Sequence, residues 1–365
     1  MSKRFIFTIF TLVIIGLAAA VAVFLAKGYT FNPKEGRVVG TGIIAVTSLP
    51  DAASVYIDGH LTTATDATIS SLVPKEYTVK LIKEGFIPWE KKVKVNEGLV
   101  TDLKVTLFPA IPTMYPLTFN GVKNPVLSSD GGKLAFIVSG GKKPGVWVWT
   151  FVDNRPIAFA RGGQPHQISA NGTINYNDAV LRWSSDSKQV LATIGTNNYL
   201  LQDEQLNTEP RDITPTLSST TKTWDDDLKQ RDSARLLTIK DVTKRQEASS
   251  AAIVRWSPDE TKVLFSKDGK SLTGFKVFDT ETGQQYDIPD ARTQTWLPDS
   301  MHVVLVEEGK ISIIEFDGNN KAVIYAGNFE GNFVFAWPDS SRLVVISSFP
   351  TPTASEPNLY GINLK

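Results

Sequence analysis

The stretch Arg255-Trp256-Ser257-Pro258-Asp259-Glu260-Thr261-Lys262-Val263-Leu264-Phe265 is one copy of a pattern that recurs along the chain. A short apolar run ends at Trp256. Pro258 and Asp259 suit a tight turn, because proline presets φ and aspartate accepts backbone hydrogen bonds. The apolar run that follows predicts a second strand. The stretch therefore predicts a β-hairpin with a large aromatic side chain packed beside its turn.

Four further copies begin at Pro125, Arg182, Thr295 and Ala336, and the first of them lacks the tryptophan. Their shared aspartates lie at intervals of 56, 73, 40 and 40 residues. A period near 40 with strand–turn–strand content is typical of propeller blades. We expect five blades, with six as the alternative. Because every copy needs the same packing, the following are interpreted as blade-building residues: Asp130, Trp183, Asp186, Trp256, Pro258, Asp259, Trp296, Pro298, Asp299, Trp337, Pro338 and Asp339.

These copies resemble the WD-repeat-like, TolB-type β-propeller family over about residues 113–365. The segment Thr113 to Phe119 is predicted to complete the last blade, because only two strands fit between the last copy and Lys365. Pairing the two ends would remove an exposed sheet edge. Phe349 to Pro357, with three prolines, is predicted to be a loop.

Composition excludes several kinds of site. Lys plus Arg equals Asp plus Glu at 38 each, so no overall basic charge favours nucleic acid. The absence of cysteine excludes disulfides, thiolate metal sites and a cysteine nucleophile. His60, His166 and His302 are too widely spaced for a zinc motif. We expect no metal and no cofactor.

The N-terminal segment favours a membrane anchor. Phe5 to Ala26 runs for about 22 residues without a charge, which suffices to span a hydrocarbon core of about 30 Å. A cleavable signal peptide stays open as an alternative, because Ala18-Ala19-Ala20 offers small residues for cleavage. We expect residues 1–27 to hold a cytoplasmic tail and a single span, 28–41 to be a linker, and the remaining chain to be extracytoplasmic.

Residues 42–109 predict a small all-β sandwich. Short alternating runs are separated by turn signals, of which Asp58-Gly59 is the strongest for a hairpin. The region resembles a PEGA domain, whose motif falls here on Ser48, Pro50, Asp58, Gly59, Gly85 and Phe86. The tetrapeptide that names the family has become Pro50-Asp51-Ala52-Ala53, and Thr65-Asp66-Ala67 also departs from the family pattern. The resemblance implies an extracytoplasmic module, often tethered to a membrane, with no known chemistry.

The interval of 73 residues contains a helical insertion at about residues 216–250. Trp224 to Glu247 has no Gly or Pro, and Asp225, Asp227 and Asp241 each precede a base by four residues. Asp225 to Asp227 would occupy the first helical turn, where acids suit the helix dipole. The segment is interpreted either as a solvated surface helix or as a lid or partner-binding arm on one propeller face.

No sequence motif for catalysis is present. The chain has no GxSxG elbow and no phosphate-binding glycine loop. Trp147 and Trp149 share one strand face and are interpreted as packing between blades rather than as a sugar platform. We therefore expect a non-catalytic, membrane-anchored binding or envelope-scaffold protein whose partner is a protein or an envelope polysaccharide. The alternatives are a glycosidase-like envelope enzyme with carboxylates in the propeller funnel, or a subunit of an envelope complex.

Overall fold

The computed structural model describes residues 3–26, 29–32, 36–151, 163–266, 274–331, 333–348 and 356–365. The chain divides into two compact units. The first comprises Met1–Ala110 together with Lys365, and the second comprises Ile111–Leu364. The loop predicted from Phe349 to Pro357 lies largely outside the described residues.

The first unit begins with helix α1, Lys3–Ala26. Large apolar side chains along α1 are exposed, among them Phe7 (71%) and Leu17 (64%). Within the part of the chain described, no helix meets the length and apolarity of a membrane span. The segment predicted as a linker contains an antiparallel hairpin of β1 (Tyr29–Asn32) and β2 (Arg37–Gly40).

The seven following strands form a sandwich, which confirms the predicted small β-domain. The strands are β3 (Gly42–Leu49), β4 (Ser54–Ile57), β5 (His60–Ala64), β6 (Ala67–Leu72), β7 (Glu76–Ile82), β8 (Trp89–Lys94) and β9 (Val100–Thr106). One sheet has the order β6-β3-β9 and the other β5-β4-β7-β8. Asp58 and Gly59 both have positive φ and join β4 to β5, as a two-residue hairpin turn requires. Side chains such as Ile44, Val79 and Trp89 fill the core.

The described strands of the second unit form five four-stranded antiparallel sheets, the five blades that the repeats predict. Blade 1 contains β11 (Lys123–Leu127), β12 (Lys133–Val138), β13 (Gly145–Thr150) and β14 (His166–Ala170). Blade 2 contains β15 (Val180–Trp183), β16 (Gln189–Ile194), β17 (Asn197–Gln202) and β18 (Arg211–Asp212). Blade 3 contains β19 (Ile253–Trp256), β20 (Lys262–Ser266), β21 (Lys276–Asp279) and β22 (Gln285–Asp287).

Blade 4 contains β23 (Thr293–Trp296), β24 (His302–Glu307), β25 (Lys310–Glu315) and β26 (Ala322–Ala326). Blade 5 contains β27 (Val334–Ala336), β28 (Arg342–Ser347) and β29 (Asn358–Asn363), and β10 (Met114–Pro116) supplies its fourth strand. Met114 pairs with Ile362 in an antiparallel register. The predicted completion of the last blade by the first strand is thereby confirmed.

Apolar clusters hold neighbouring blades together. Trp149 and Phe151 of blade 1 pack against Phe335 and Trp337 of blade 5, with ring centroids 4.6–6.0 Å apart within this group. Trp147 lies at the edge of the same cluster. The tryptophan pair of β13 therefore packs between blades, as interpreted from its spacing.

Two helices lie between blades 2 and 3 in the chain. After a 3-10 turn at Thr214–Thr216, α2 runs over Leu217–Leu236 and α3 over Val242–Ser249. The helix thus begins about two turns earlier than expected, so Asp225 does not lie in its first turn. Within this Ser/Thr-rich stretch, the Thr221 hydroxyl donates to the Leu217 carbonyl one turn back.

Candidate functional site at the helical insertion

The recurring aspartates are bound within their own turns. Asp186 Oδ1 accepts a hydrogen bond from Ser184 Oγ at 2.6 Å and from the Lys188 N–H at 3.1 Å. Asp259 accepts from Ser257 and Thr261 in the same way. These bonds explain why a serine recurs two residues before the aspartate in several of the turns. Asp130 has the same arrangement, Asp299 accepts from two backbone N–H groups, and Asp339 accepts from the Ser341 N–H.

The hydrogen bonds also lower the pKa of two of these carboxyl groups, Asp186 and Asp259. The Ser184 hydroxyl holds the pKa of Asp186 below its ordinary value, although partial burial acts in the opposite direction. Burial raises the pKa of Asp259, but the bonds from Ser257 and Thr261 outweigh it and leave the pKa lowered. A general acid in glycoside hydrolysis requires a raised pKa. The two turn carboxyls are therefore poorly suited to that role.

Two of the repeat tryptophans join adjacent blades. The indole Nε1 of Trp183 donates to the carbonyl oxygen of Val126 in blade 1 at 2.9 Å, and that of Trp296 donates to Arg255 in blade 3 at 2.9 Å. The equivalent nitrogen of Trp256 is buried without a hydrogen-bond partner. The junction between blades 2 and 3 thus lacks the tryptophan hydrogen bond that joins blades 1 and 2 and blades 3 and 4.

The helical insertion covers the face of blade 2 that points away from blade 1. Trp224 of α2 packs with Leu191, Leu200 and Ile213. The alternating neighbours of Leu191, which are Val190 and Ala192, pack instead in the cluster shared with blade 1. Strand side chains alternate between faces, so blade 2 lies between blade 1 and α2.

The insertion also covers one face of blade 3, namely the face that points away from blade 4. Ile239 and Ala248 of the insertion pack with Val263 and Phe265 of β20. The intervening Leu264 packs in the cluster shared with blade 4. The insertion therefore covers two sheet faces that a neighbouring blade covers elsewhere. Most side chains of α2 are exposed, as on a surface helix, while Trp224 is buried against blade 2. A role as a lid or partner-binding arm stays a prediction.

Polar contacts join α2 to strand β15 and to one turn of each blade. Arg182 binds Asp225 at 2.7 Å, and the Ser185 hydroxyl donates to Asp227 at 2.8 Å. Arg235 binds Glu260 of blade 3 at 2.7 Å. The predicted pairing of Asp225 along its own helix is thus replaced by a bond to the sheet.

The sequence carries a signal for this junction that the repeat pattern alone did not reveal. Serine follows the turn aspartate at positions 187, 300 and 340, and the Ser300 Oγ accepts a bond from the Asp259 N–H of the preceding blade at 3.0 Å. Blade 3 has Glu260 at that position, where the side chain reaches α2 instead. This repeat position holds serine in three copies and Gly131 in blade 1, so the charged residue in blade 3 marks the insertion.

The bend between the two helices presents exposed apolar side chains. Leu237 and Val242 are each 68% exposed. Thr238, Lys240 and Asp241 lie between them and are also exposed. Two exposed apolar side chains that lie close in the chain, with polar residues between them, offer a candidate site for protein contact. We call Leu237–Val242 the bend surface.

The PEGA-like motif residues have structural partners. Ser48 Oγ donates to the Pro50 carbonyl at 2.7 Å. Asp58 accepts from Lys75 Nζ at 2.6 Å and from the Thr78 N–H at 2.9 Å, and the Lys75 bond lowers its pKa. Gly85 has φ of 80°, and Phe86 packs on the sandwich core.

Two further findings bear on chemistry. Across the residues that the structure describes, no cluster of His, Asp or Glu could hold a metal ion. A cavity of about 240 Å³ lies between residues 169–176 and 206–210, and its lining contains no charged side chain. The sequence reasoning missed this cavity because loops distant in the chain form it.

Comparison with known protein families supports the small β-domain. Residues 41–111 match the model of the PEGA domain. Among curated proteins, none matches the chain. The chain is similar to several solved structures at low identity. TolB from Acinetobacter baumannii is 11% identical with a TM-score of 0.25, and the match covers 80% of this chain and 61% of that protein.

A putative TolB from Agrobacterium tumefaciens is 13% identical with a TM-score of 0.25, and the match covers 68% of this chain and 89% of that protein. The CNH domain of AfRom2 is 7% identical with a TM-score of 0.30, and the match covers 69% of this chain and all of that domain. Similarities of this size carry no argument about activity or partners.

Proposed function

We propose that this chain is a non-catalytic envelope protein that α1 holds at a membrane and whose propeller binds a protein partner outside the cell. The observation that carries the proposal is the bend surface, where Leu237 and Val242 stay exposed on an insertion that is otherwise fastened to two blades. Catalysis has less support, because the repeat carboxylates bond within their turns.

Membrane anchoring is part of the proposal. Helix α1 has 24 residues, which corresponds to a length of about 36 Å, and its sequence from Phe5 to Ala26 has no charge. Apolar side chains exposed along it, such as Phe10 (61%) and Leu12 (63%), would be stabilised by transfer into lipid. Retention of the full-length chain in carbonate-washed membranes would support the anchor, and release of a shorter soluble form would contradict it.

The bend surface favours a protein over a polysaccharide. Its apolar side chains, Leu237 and Val242, are aliphatic, so they offer no flat aromatic ring against which a sugar could stack. Aliphatic side chains with a polar surround instead suit the centre of a small protein–protein contact. An envelope polysaccharide is the competing ligand that the binding experiment must distinguish.

The test uses the full chain in lipid nanodiscs and measures binding to immobilised envelope proteins and to envelope polysaccharides. We expect saturable protein binding that the double variant Leu237→Ser/Val242→Ser weakens at least about tenfold. The matched control is Val180→Ser, which removes an equally exposed (65%) apolar side chain from blade 2. Equal loss in both variants would contradict a site at the bend.

Detection of catalytic activity would also contradict the proposal. Turnover of a polysaccharide that disappears when one turn carboxylate is replaced would favour the glycosidase-like alternative. Deleting the whole insertion is a poor test, because Trp224, Ile239 and Ala248 fill apolar clusters with two blades. Surface substitutions leave that packing in place.

A further inference from the structure

The sandwich has two distinct ends. Strand β3 starts at Gly42 and ends at Leu49, a distance of about 23 Å at the usual rise per residue. Parallel pairing places Val100 beside Ile43 and Thr106 beside Leu49. The chain leaves at the Leu49 end, where the Ala110 N–H bonds the Gly85 carbonyl. We call the Gly42 end the near end and the Leu49 end the far end.

The hairpin of β1 and β2 brings the end of α1 to the near end. Tyr29 pairs directly with Gly40, although ten residues lie between them in sequence. Tyr29 follows the last residue of α1, Ala26, by three positions, a reach of about 11 Å at most. The fourteen residues between α1 and Thr41 therefore do not act as a long stalk.

The loop between β8 and β9 is fastened to the same end. The Gly98 N–H donates to the Thr41 carbonyl at 3.0 Å, and the Ile43 N–H donates to the Leu99 carbonyl at 3.0 Å. Glycine is needed at position 42, because a Cβ there would collide with the Asn96 carbonyl. The loop tip is thus held by backbone bonds.

Two large apolar side chains project from this tip into solvent. Leu99 is 58% exposed and Val100 is 61% exposed. We propose that Leu99 and Val100 contact the lipid surface at the end of α1 and so hold the near end of the sandwich against the bilayer. The inference rests on the anchor in the proposed function, and it adds a second membrane contact made by a folded domain. Partial insertion of aliphatic side chains into the interface is a common mode of peripheral attachment.

The experiment uses the absence of cysteine from the chain. An environment-sensitive fluorophore is attached to the single variant Leu99→Cys of the full-length protein in phosphatidylcholine–phosphatidylglycerol vesicles. The matched control is Leu49→Cys, an exposed leucine (49%) at the far end of the same domain. Lipids with a spin label near the headgroup quench a fluorophore only when it lies at the interface.

We expect quenching of about twofold or more at position 99 and little at position 49. Vesicle flotation is measured on the same samples to report on the anchor separately. Flotation without quenching at position 99 would overturn the inference and leave the anchor standing. Equal quenching at both positions would also overturn it, because the near end would then have no special contact. Failure to float would overturn both.

Discussion

The indole nitrogen of Trp296 donates a 2.9 Å hydrogen bond to the backbone carbonyl of Arg255, which joins blade 4 to blade 3. Trp183 makes the equivalent bond to Val126 between blades 2 and 1. At the junction that contains the helical insertion, the corresponding Trp256 nitrogen is buried and has no partner. The tryptophan at this repeat position therefore contributes a hydrogen bond between blades at two junctions and only packing at the third.

We expect Trp296→Phe to destabilise the propeller by about 1–2 kcal/mol more than Trp256→Phe. Both substitutions remove an indole of the same size, but only the first leaves a carbonyl that has lost its donor. Denaturant unfolding followed by near-UV circular dichroism measures the difference. Equal losses would show that the Trp296 bond contributes nothing beyond packing.

The Lys133–Asp203 ion pair joins blades 1 and 2 at 2.5 Å, with side chains only 19% and 5% exposed. Lys133→Met should cost about 3–5 kcal/mol, because it leaves the Asp203 carboxylate buried without its partner. The double variant Lys133→Met/Asp203→Leu should regain most of that loss. A double-mutant cycle in denaturant checks both values, and additive losses would contradict coupling between the two groups.

The lowered pKa values of Asp186 and Asp259 predict loss of stability in acid. The two carboxyl groups bind protons more weakly in the folded state than in the unfolded chain, where aspartates titrate near pH 3.9. The stabilisation is therefore complete above about pH 4 and disappears as the pH falls through the lowered pKa values.

Replacing both turn carboxyls by Asn should flatten the dependence of Tm on pH, since Asn can accept similar bonds but does not titrate. The control is Asp226→Asn, which changes an exposed carboxyl on α2. If the Asp186→Asn/Asp259→Asn protein kept the wild-type dependence of Tm on pH, the loss of stability in acid would not arise from these turns.

The first strand of the second unit should stabilise the whole propeller. β10 pairs with β29, and the Asn363 N–H bonds the Thr113 carbonyl at 2.9 Å. Deleting residues 113–120 should lower the denaturation midpoint while unfolding stays a single transition. Hydrogen exchange measures whether the loss spreads over all blades. Faster exchange confined to blade 5 would mean that the other blades do not depend on β10.

Trp224 provides a test of the insertion as a structural element. Its side chain is 7% exposed and packs on blade 2. Trp224→Ala should cost about 3–5 kcal/mol, as for other buried large side chains. The neighbouring Thr223→Ala, at an exposed position, is the control. A loss below about 1 kcal/mol would favour a loosely attached arm instead.

The sequence by itself determined the repeated turn, the blade number and the closing strand. The aspartate of each turn accepts hydrogen bonds from backbone N–H groups two or three residues away, so its chemistry is readable locally. The same holds for the Asp58-Gly59 hairpin, whose positive φ values belong to two adjacent residues. Local rules also predicted that the insertion would be helical.

Only the tertiary structure decided where the helices pack and with what they bond. Asp225 binds Arg182, 43 residues earlier, and not the lysine one helical turn away. The hairpin at residues 29–40 and the exposed near end of the sandwich likewise depend on which segments meet in space. Contacts between distant segments depend on the burial of whole faces, which short sequence patterns do not encode.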